Sequence, residues 1–95
     1  MNNSVFTWDN EKHKINLKKH GVSFEEATTV FEDDNALVRP DPDHSLNEER
    51  FIILGLSKYM NLLIVCHCYR TEDSIIRLIS ARKANNREEK EYGGV

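Results

Sequence analysis

The sequence predicts an α+β fold, with helices packed on one face of an antiparallel sheet of three to four strands and a last helix after the sheet. Three observations predict it. Two segments with helix-capping residues occupy the first third of the chain, three apolar runs joined by short links fill residues 50–82, and a polar segment with its own cap follows at Asn85.

Each element has a local cause. Asp9 is placed to cap a helix over Glu11 to Lys19, where Ile15 and Leu17 stand among Lys12, Lys14, Lys18 and Lys19. So narrow an apolar stripe needs help from Phe6 and Trp8 in the preceding segment. His20-Gly21 ends the helix, because glycine readily takes the left-handed conformation there. Ser23-Phe24-Glu25-Glu26 has capping-box spacing, with Val22 before it and Ala27 at the staple position. Phe24, Ala27, Val30 and Phe31 then recur at helical spacing until Glu32-Asp33-Asp34. Ala36 to Arg39 reads as an edge strand, stopped by Pro40 and the turn chemistry of Asp41-Pro42-Asp43. Phe51 to Leu56 is a nearly continuous apolar run, and therefore a central strand. Ser57 to Asn61 links it to a strand over Leu62 to Arg70, and Thr71 to Asp73 links that to a strand over Ser74 to Arg82. Short links make these three strands an antiparallel meander. Asn85-Asn86 followed by Glu88-Glu89 starts the last helix, which runs to about Tyr92. Helices on one face leave the other face solvated, a place for a polyanion to lie.

A chain of 95 residues is expected to form one compact domain with one site. It is 39% apolar and 31% charged, as a globular protein is, with no repeat or low-complexity run. The longest apolar run, Leu62 to Cys66, is far too short to span a bilayer. Met1 to Thr7 lacks the basic and apolar stretches of a signal peptide, so a cytoplasmic location is expected, with no membrane partner. Cys66 and Cys68 lie two apart on one strand face and are expected to be reduced. With His67 between them on the other face they make a poor metal site, and neither metal nor cofactor is expected.

The formal net charge is −3, yet His67, Arg70, Arg77, Arg82 and Lys83 crowd the last two strands. Arg77 is the most telling, because Ile75, Ile76, Leu78 and Ile79 flank it. A cation kept among apolar residues needs an anion to receive it, and phosphate is the leading candidate. A metal-independent ribonuclease must deprotonate the ribose 2′-OH, stabilise charge on the phosphorane and protonate the leaving 5′-oxygen. Arginine serves the second task, since its fork matches phosphate oxygens and it stays charged. His67 is the sheet residue with a reference pKa near neutrality, about 6.5, and so an acid or base candidate. Glu48, Glu49, Tyr69 and Tyr92 are weaker candidates for proton transfer. No Walker loop, Ser-His-Asp order or HExxH pattern is present.

Each assignment has a structural competitor. His67 could be a satisfied core histidine, Arg70 could pair with Glu72, and Arg82-Lys83 could be a solvated cluster. The four lysines of the first helix read as a solvated face, with nucleic-acid steering as the alternative. Strand parity also objects. His67 and Arg77 are odd and Arg70 and Arg82 even, so a bulge, a strand end or a loop must re-aim some of them if they form one site.

Trp8-Asp9, Lys12, Asn16, the run Lys19 to Ala27, Phe31, Glu49-Arg50-Phe51, Leu54-Gly55, His67, Arg70 and the run Ile79 to Ala84 resemble the BrnT family of bacterial toxins across nearly the whole chain. KHGVSFEEA and ISARKA carry the resemblance. It implies a RelE-like fold, a ribonuclease without a metal, and neutralisation in a hetero-oligomer by a BrnA-like antitoxin with a ribbon-helix-helix domain. Through that antitoxin the complex would reach DNA and repress its own promoter. Residue by residue, the resemblance implies Glu49, Arg50, His67, Arg70, Arg77 and Arg82 as the polar set of the active face, with Lys83 beside them. Arg70, Arg77 and Arg82 are expected to hold phosphate and transition-state charge, His67 or Glu49 to move protons, and Arg50 and Lys83 to bind RNA. The last helix departs from the family, being acidic over Arg87 to Tyr92 where many members are basic. The competing class is an inactive antitoxin-binding module. Direct DNA reading is poorer, because no helix is strongly basic with base-reading side chains.

Overall fold

The structure is a computed structural model that describes residues 5–44, 48–70 and 74–93. Elements follow in the order β1 (Val5–Thr7), α1 (Asn10–His20), α2 (Phe24–Thr28) continued by a 3-10 turn (Thr29–Glu32), β2 (Leu37–Pro40), a second 3-10 turn (Pro42–His44), β3 (Arg50–Leu56), β4 (Leu62–Arg70), β5 (Ile75–Lys83) and α3 (Asn86–Gly93). The link over Thr71 to Asp73, and with it the Glu72 partner considered for Arg70, lies outside the described residues.

The caps act as their residue types dictate. The Asp9 carboxylate accepts the Glu11 and Lys12 amides at 2.8 and 3.2 Å, and Gly21 closes α1 at φ +70° while its amide donates to Leu17 O at 2.8 Å. Ser23 Oγ accepts the Glu26 amide at 3.0 Å. Asn85 and Glu88 form a reciprocal box, each side chain accepting the other's amide at 2.9 Å.

The sheet has five strands in the order β1-β5-β4-β3-β2 and is mixed, not purely antiparallel as expected. β2 to β5 pair antiparallel, while β1 adds in parallel to β5 through Val5↔Ile75, Phe6↔Ile76 and Thr7↔Arg77. Three residues carry no periodicity, so β1 had no strand signal of its own. Between β4 and β5 the register runs Cys66↔Ser80 and then His67↔Leu78, leaving Ile79 as the extra residue of a bulge.

The core lies between the sheet and α2, where Phe24, Ala27, Val30, Leu63, Val65 and Ala81 are 0% exposed and Phe6, Trp8, Phe31 and Ala36 pack at its margin. Gly55 lets the 3-10 turn reach β3, since a Cβ there would meet Ala36 Cβ at 3.1 Å and Val30 O at 3.2 Å. Asn16 is the one buried residue of α1 and takes the place of a strand partner. It accepts the Ala81 amide at 3.0 Å and donates to Ala81 O at 2.8 Å and Val22 O at 3.1 Å.

The opposite face was expected to be free, and α3 crosses part of it. α3 bridges β5 to β2 across it, with Glu88 on Arg82, Glu91 on Arg39, and the Tyr92 hydroxyl donating to Asp33 Oδ2 at 2.6 Å. None of its residues is buried, so polar tethers hold it.

Candidate functional site

Alternation along the paired strands puts Arg39 of β2, Arg50 of β3, Arg70 of β4, and Arg77 and Arg82 of β5 on the face away from α1 and α2. The bulge is what permits it. Leu78 and Ala81 both point into the core, so Ile79 and Ser80 together occupy one alternation step, and Arg77 and Arg82 emerge on the same side despite their parity. Between Arg50 and Arg82 lies a hollow of about 210 Å³, also lined by Ile52, Cys66, Ser80 and Asp41.

Carboxylates already occupy most of these arginines. Glu48 Oε2 accepts from Arg70 at 3.0 Å, and its Oε1 stands 3.8 Å from Arg50. Glu88 takes Arg82 in a two-pronged pair with both contacts at 2.8 Å, and Glu91 pairs with Arg39. The Arg82 guanidinium and the Asn85 amide hold the Glu88 carboxyl below its usual range against the opposing effect of burial. The Arg77 side chain makes no hydrogen bond or ion pair with the described residues, and the Asp9 carboxylate feels its charge.

His67 is not on this face. It is 0% exposed on the core side of β4, with ring centroids 4.9 Å from Phe31 and 5.3 Å from Tyr69. Its Nδ1 lies 3.2 Å from Val65 O, a group that only accepts, so Nδ1 carries the proton. The Tyr69 hydroxyl then donates to Nε2 across 3.3 Å. Burial pushes the His67 pKa down, with the Val65 bond opposing, so the ring is kept neutral. Lys83 pairs with Leu63 and lies at the strand end on the core side of the alternation. Glu49 is exposed beside a separate hollow of about 540 Å³ with Glu48, Phe51 and Tyr69. The structure therefore puts Arg50, Arg70, Arg77 and Arg82 on one face, the first three at neighbouring ladder positions and Arg82 further along β5, and leaves His67, Glu49 and Lys83 off it.

Cys66 and Cys68 share the arginine face, both reduced, and burial raises both thiol pKa values. Sequence reasoning missed Arg39 and the two carboxylates of α3 that clamp the cations. The acidic stretch over Arg87 to Tyr92 was the available signal for the clamps. Nothing local marked Arg39, because the register of an edge strand is set by its neighbour.

This face presents rigid cations over an apolar floor of Ile52 and Ile64, an arrangement suited to a polyanion with flat groups between its charges. Among known structures, the fold is similar to the crystal structure of the Brucella abortus ribonuclease toxin BrnT, at 21% identity and TM-score 0.68 over 87% of this chain and 99% of that one. No curated protein matches the chain. The family model described as the ribonuclease toxin BrnT of type II toxin-antitoxin systems matches residues 8–88, and with most of its length so matched this chain belongs to the BrnT toxin family.

Proposed function

We propose that this protein is a metal-independent endoribonuclease toxin, cytoplasmic and RelE-like, that cuts single-stranded RNA on the arginine face, inhibits translation, and is neutralised in a hetero-oligomer by a BrnA-like antitoxin with a ribbon-helix-helix domain. The observation that carries this reading is the bulge at Ile79, which turns Arg77 to the side of Arg50, Arg70 and Arg82. A bulge re-aims side chains, and this one keeps Leu78 and Ala81 in the core while Arg77 and Arg82 emerge on the opposite side.

In the reaction, the 2′-OH loses its proton and attacks phosphorus, the bond to the 5′-oxygen breaks, and that oxygen takes a proton. Arg70 and Arg77, at neighbouring positions of the β4–β5 ladder, hold the scissile phosphate and the charge that grows on it, and Arg82, further along the same face, takes a phosphate of the flanking strand. Arg50 orients Glu48 and binds the flanking phosphate. Glu48, rather than His67 or Glu49, moves the proton, a role supported by its carboxylate lying on the arginine side at 3.0 Å from Arg70. His67 supports the site from behind, through Tyr69 and the strand they share.

The test is cleavage of single-stranded RNA by purified protein in excess chelator, with Arg77→Ala as comparison. Arg77→Ala is expected to lower the rate about a hundredfold without loss of fold. A folded Arg77→Ala that cuts as well as the unmodified chain would remove the arginines from the mechanism. One observation favours the second reading, an inactive antitoxin-binding module: Glu48, Glu88 and Glu91 already occupy Arg50, Arg70, Arg82 and Arg39. No cleavage by the unmodified chain, with ribosomes added, would establish that module.

A further inference from the structure

Resting on the reading of the arginine face as an RNA site, we infer that the flank of α1 is a second phosphate subsite, at which Lys12, Lys19 and His20 hold the strand beside the cleavage position. The observation behind it is a hollow of about 190 Å³ lined on the helix side by Lys12, Ile15, Asn16, Lys19 and His20. Its other wall is Ile79 and Ser80, the two residues at which the hollow of the arginine face also ends. The bulge thus stands as a low ridge between two adjoining hollows.

Helical geometry puts those five α1 residues on one stripe, at i, i+3, i+4, i+7 and i+8 from Lys12. In most surface helices such a stripe is apolar and faces a core. Here it is cationic, it carries no carboxylate, and it belongs to a chain of net charge −3. Lys14, off the stripe, pairs with Glu11 at 3.7 Å, while Lys12 and Lys19 are exposed and have no ion pair among the described residues. The position of the stripe is fixed, because β1 covers only Ile75 to Arg77 and Asn16 seats α1 on the outer edge of β5 at Ala81. Lys12 and Arg77 flank a common neighbour. Asp9, whose carboxylate is used by two amides of α1, feels both Lys12 and Arg77. Ile15, 63% exposed, and Ile79 offer apolar walls for base faces between the phosphates.

The experiment uses the full chain and non-cleavable 2′-O-methyl RNA in a short form that fills only the arginine face and a long form that reaches α1. The double variant Lys12→Gln/Lys19→Gln changes exposed side chains outside the proposed catalytic set. It is expected to bind the long RNA about tenfold more weakly, to lower the salt slope by about 1.4 for two lost phosphate contacts, and to bind the short RNA as before. Unchanged affinity and salt slope on long RNA would overturn the subsite, provided Arg77→Ala weakens both RNAs. If the unmodified chain binds neither RNA and Arg77→Ala changes nothing, the RNA reading itself falls and the subsite with it. If the lysine variant loses antitoxin binding instead of RNA binding, the stripe is a protein contact and the proposal is overturned.

Discussion

The two faces of the sheet are built from the same strands and held by different physics. On the helix side, Leu63, Val65, Leu78 and Ala81 are at most 1% exposed, and the polar group among them, His67, has both ring nitrogens partnered. On the other side, guanidiniums stand over Ile52, Ile64 and Cys66, and carboxylates on β3's approach and on α3 neutralise most of them. The first face is stabilised by excluding water and has no capacity to exchange partners. The second is stabilised by charge pairs that a phosphate can replace, because a guanidinium binds carboxylate and phosphate with the same fork. Burial shuts His67 away from solvent, while the arginines of the other face stay within reach of it.

The contrast can be broken at several points. Phe24→Ala empties a fully buried site beside Trp8 and should cost about 3–5 kcal/mol, read as a fall in the denaturant midpoint. Arg77→Ala, on the other face, should leave that midpoint within about 0.5 kcal/mol. A large destabilisation there would mean that the arginine is structural.

His67 sharpens the comparison through pH. Its folded pKa is depressed by burial, so the unfolded chain binds the extra proton more readily. Stability from this group is complete above the unfolded value of about 6.5 and is lost as pH falls below it. Unfolding curves at pH 7.5 and 5.5 should show that loss, and His67→Asn should show less of it. At pH 7.5 a folded His67→Asn should still cut RNA, and abolished cleavage without unfolding would return the ring to the mechanism.

The smallest effect belongs to α3. Glu88→Gln removes a charged partner from Arg82, which is 41% exposed in its side chain, so the stability cost should be only about 1 kcal/mol. RNA affinity should rise severalfold in a filter-binding assay, because one guanidinium is released to phosphate. An affinity that falls instead would make the Glu88 pair part of the binding geometry.

Much of this was legible in particular residues. Asp9, Ser23 and Asn85 announced three helix starts, since a cap is a contact within three residues. The runs over Phe51 to Leu56 and Leu62 to Arg70 announced paired strands, and the last two strands announced a concentration of cations. KHGVSFEEA and ISARKA announced the family. Arg77 was the most informative residue in the chain, yet its side of the sheet was illegible, because parity alone set it against Arg82.

Sequence alone determined the local elements other than β1, the α+β class, the family and the arginine inventory, because each depends on neighbours along the chain. Tertiary structure alone decided which arginines share a face, on which face His67 lies, that β1 adds in parallel, and that α3 crosses the cationic face. Those outcomes depend on register between strands and on a single extra residue at Ile79, where one step of alternation exchanges the core side for the solvent side.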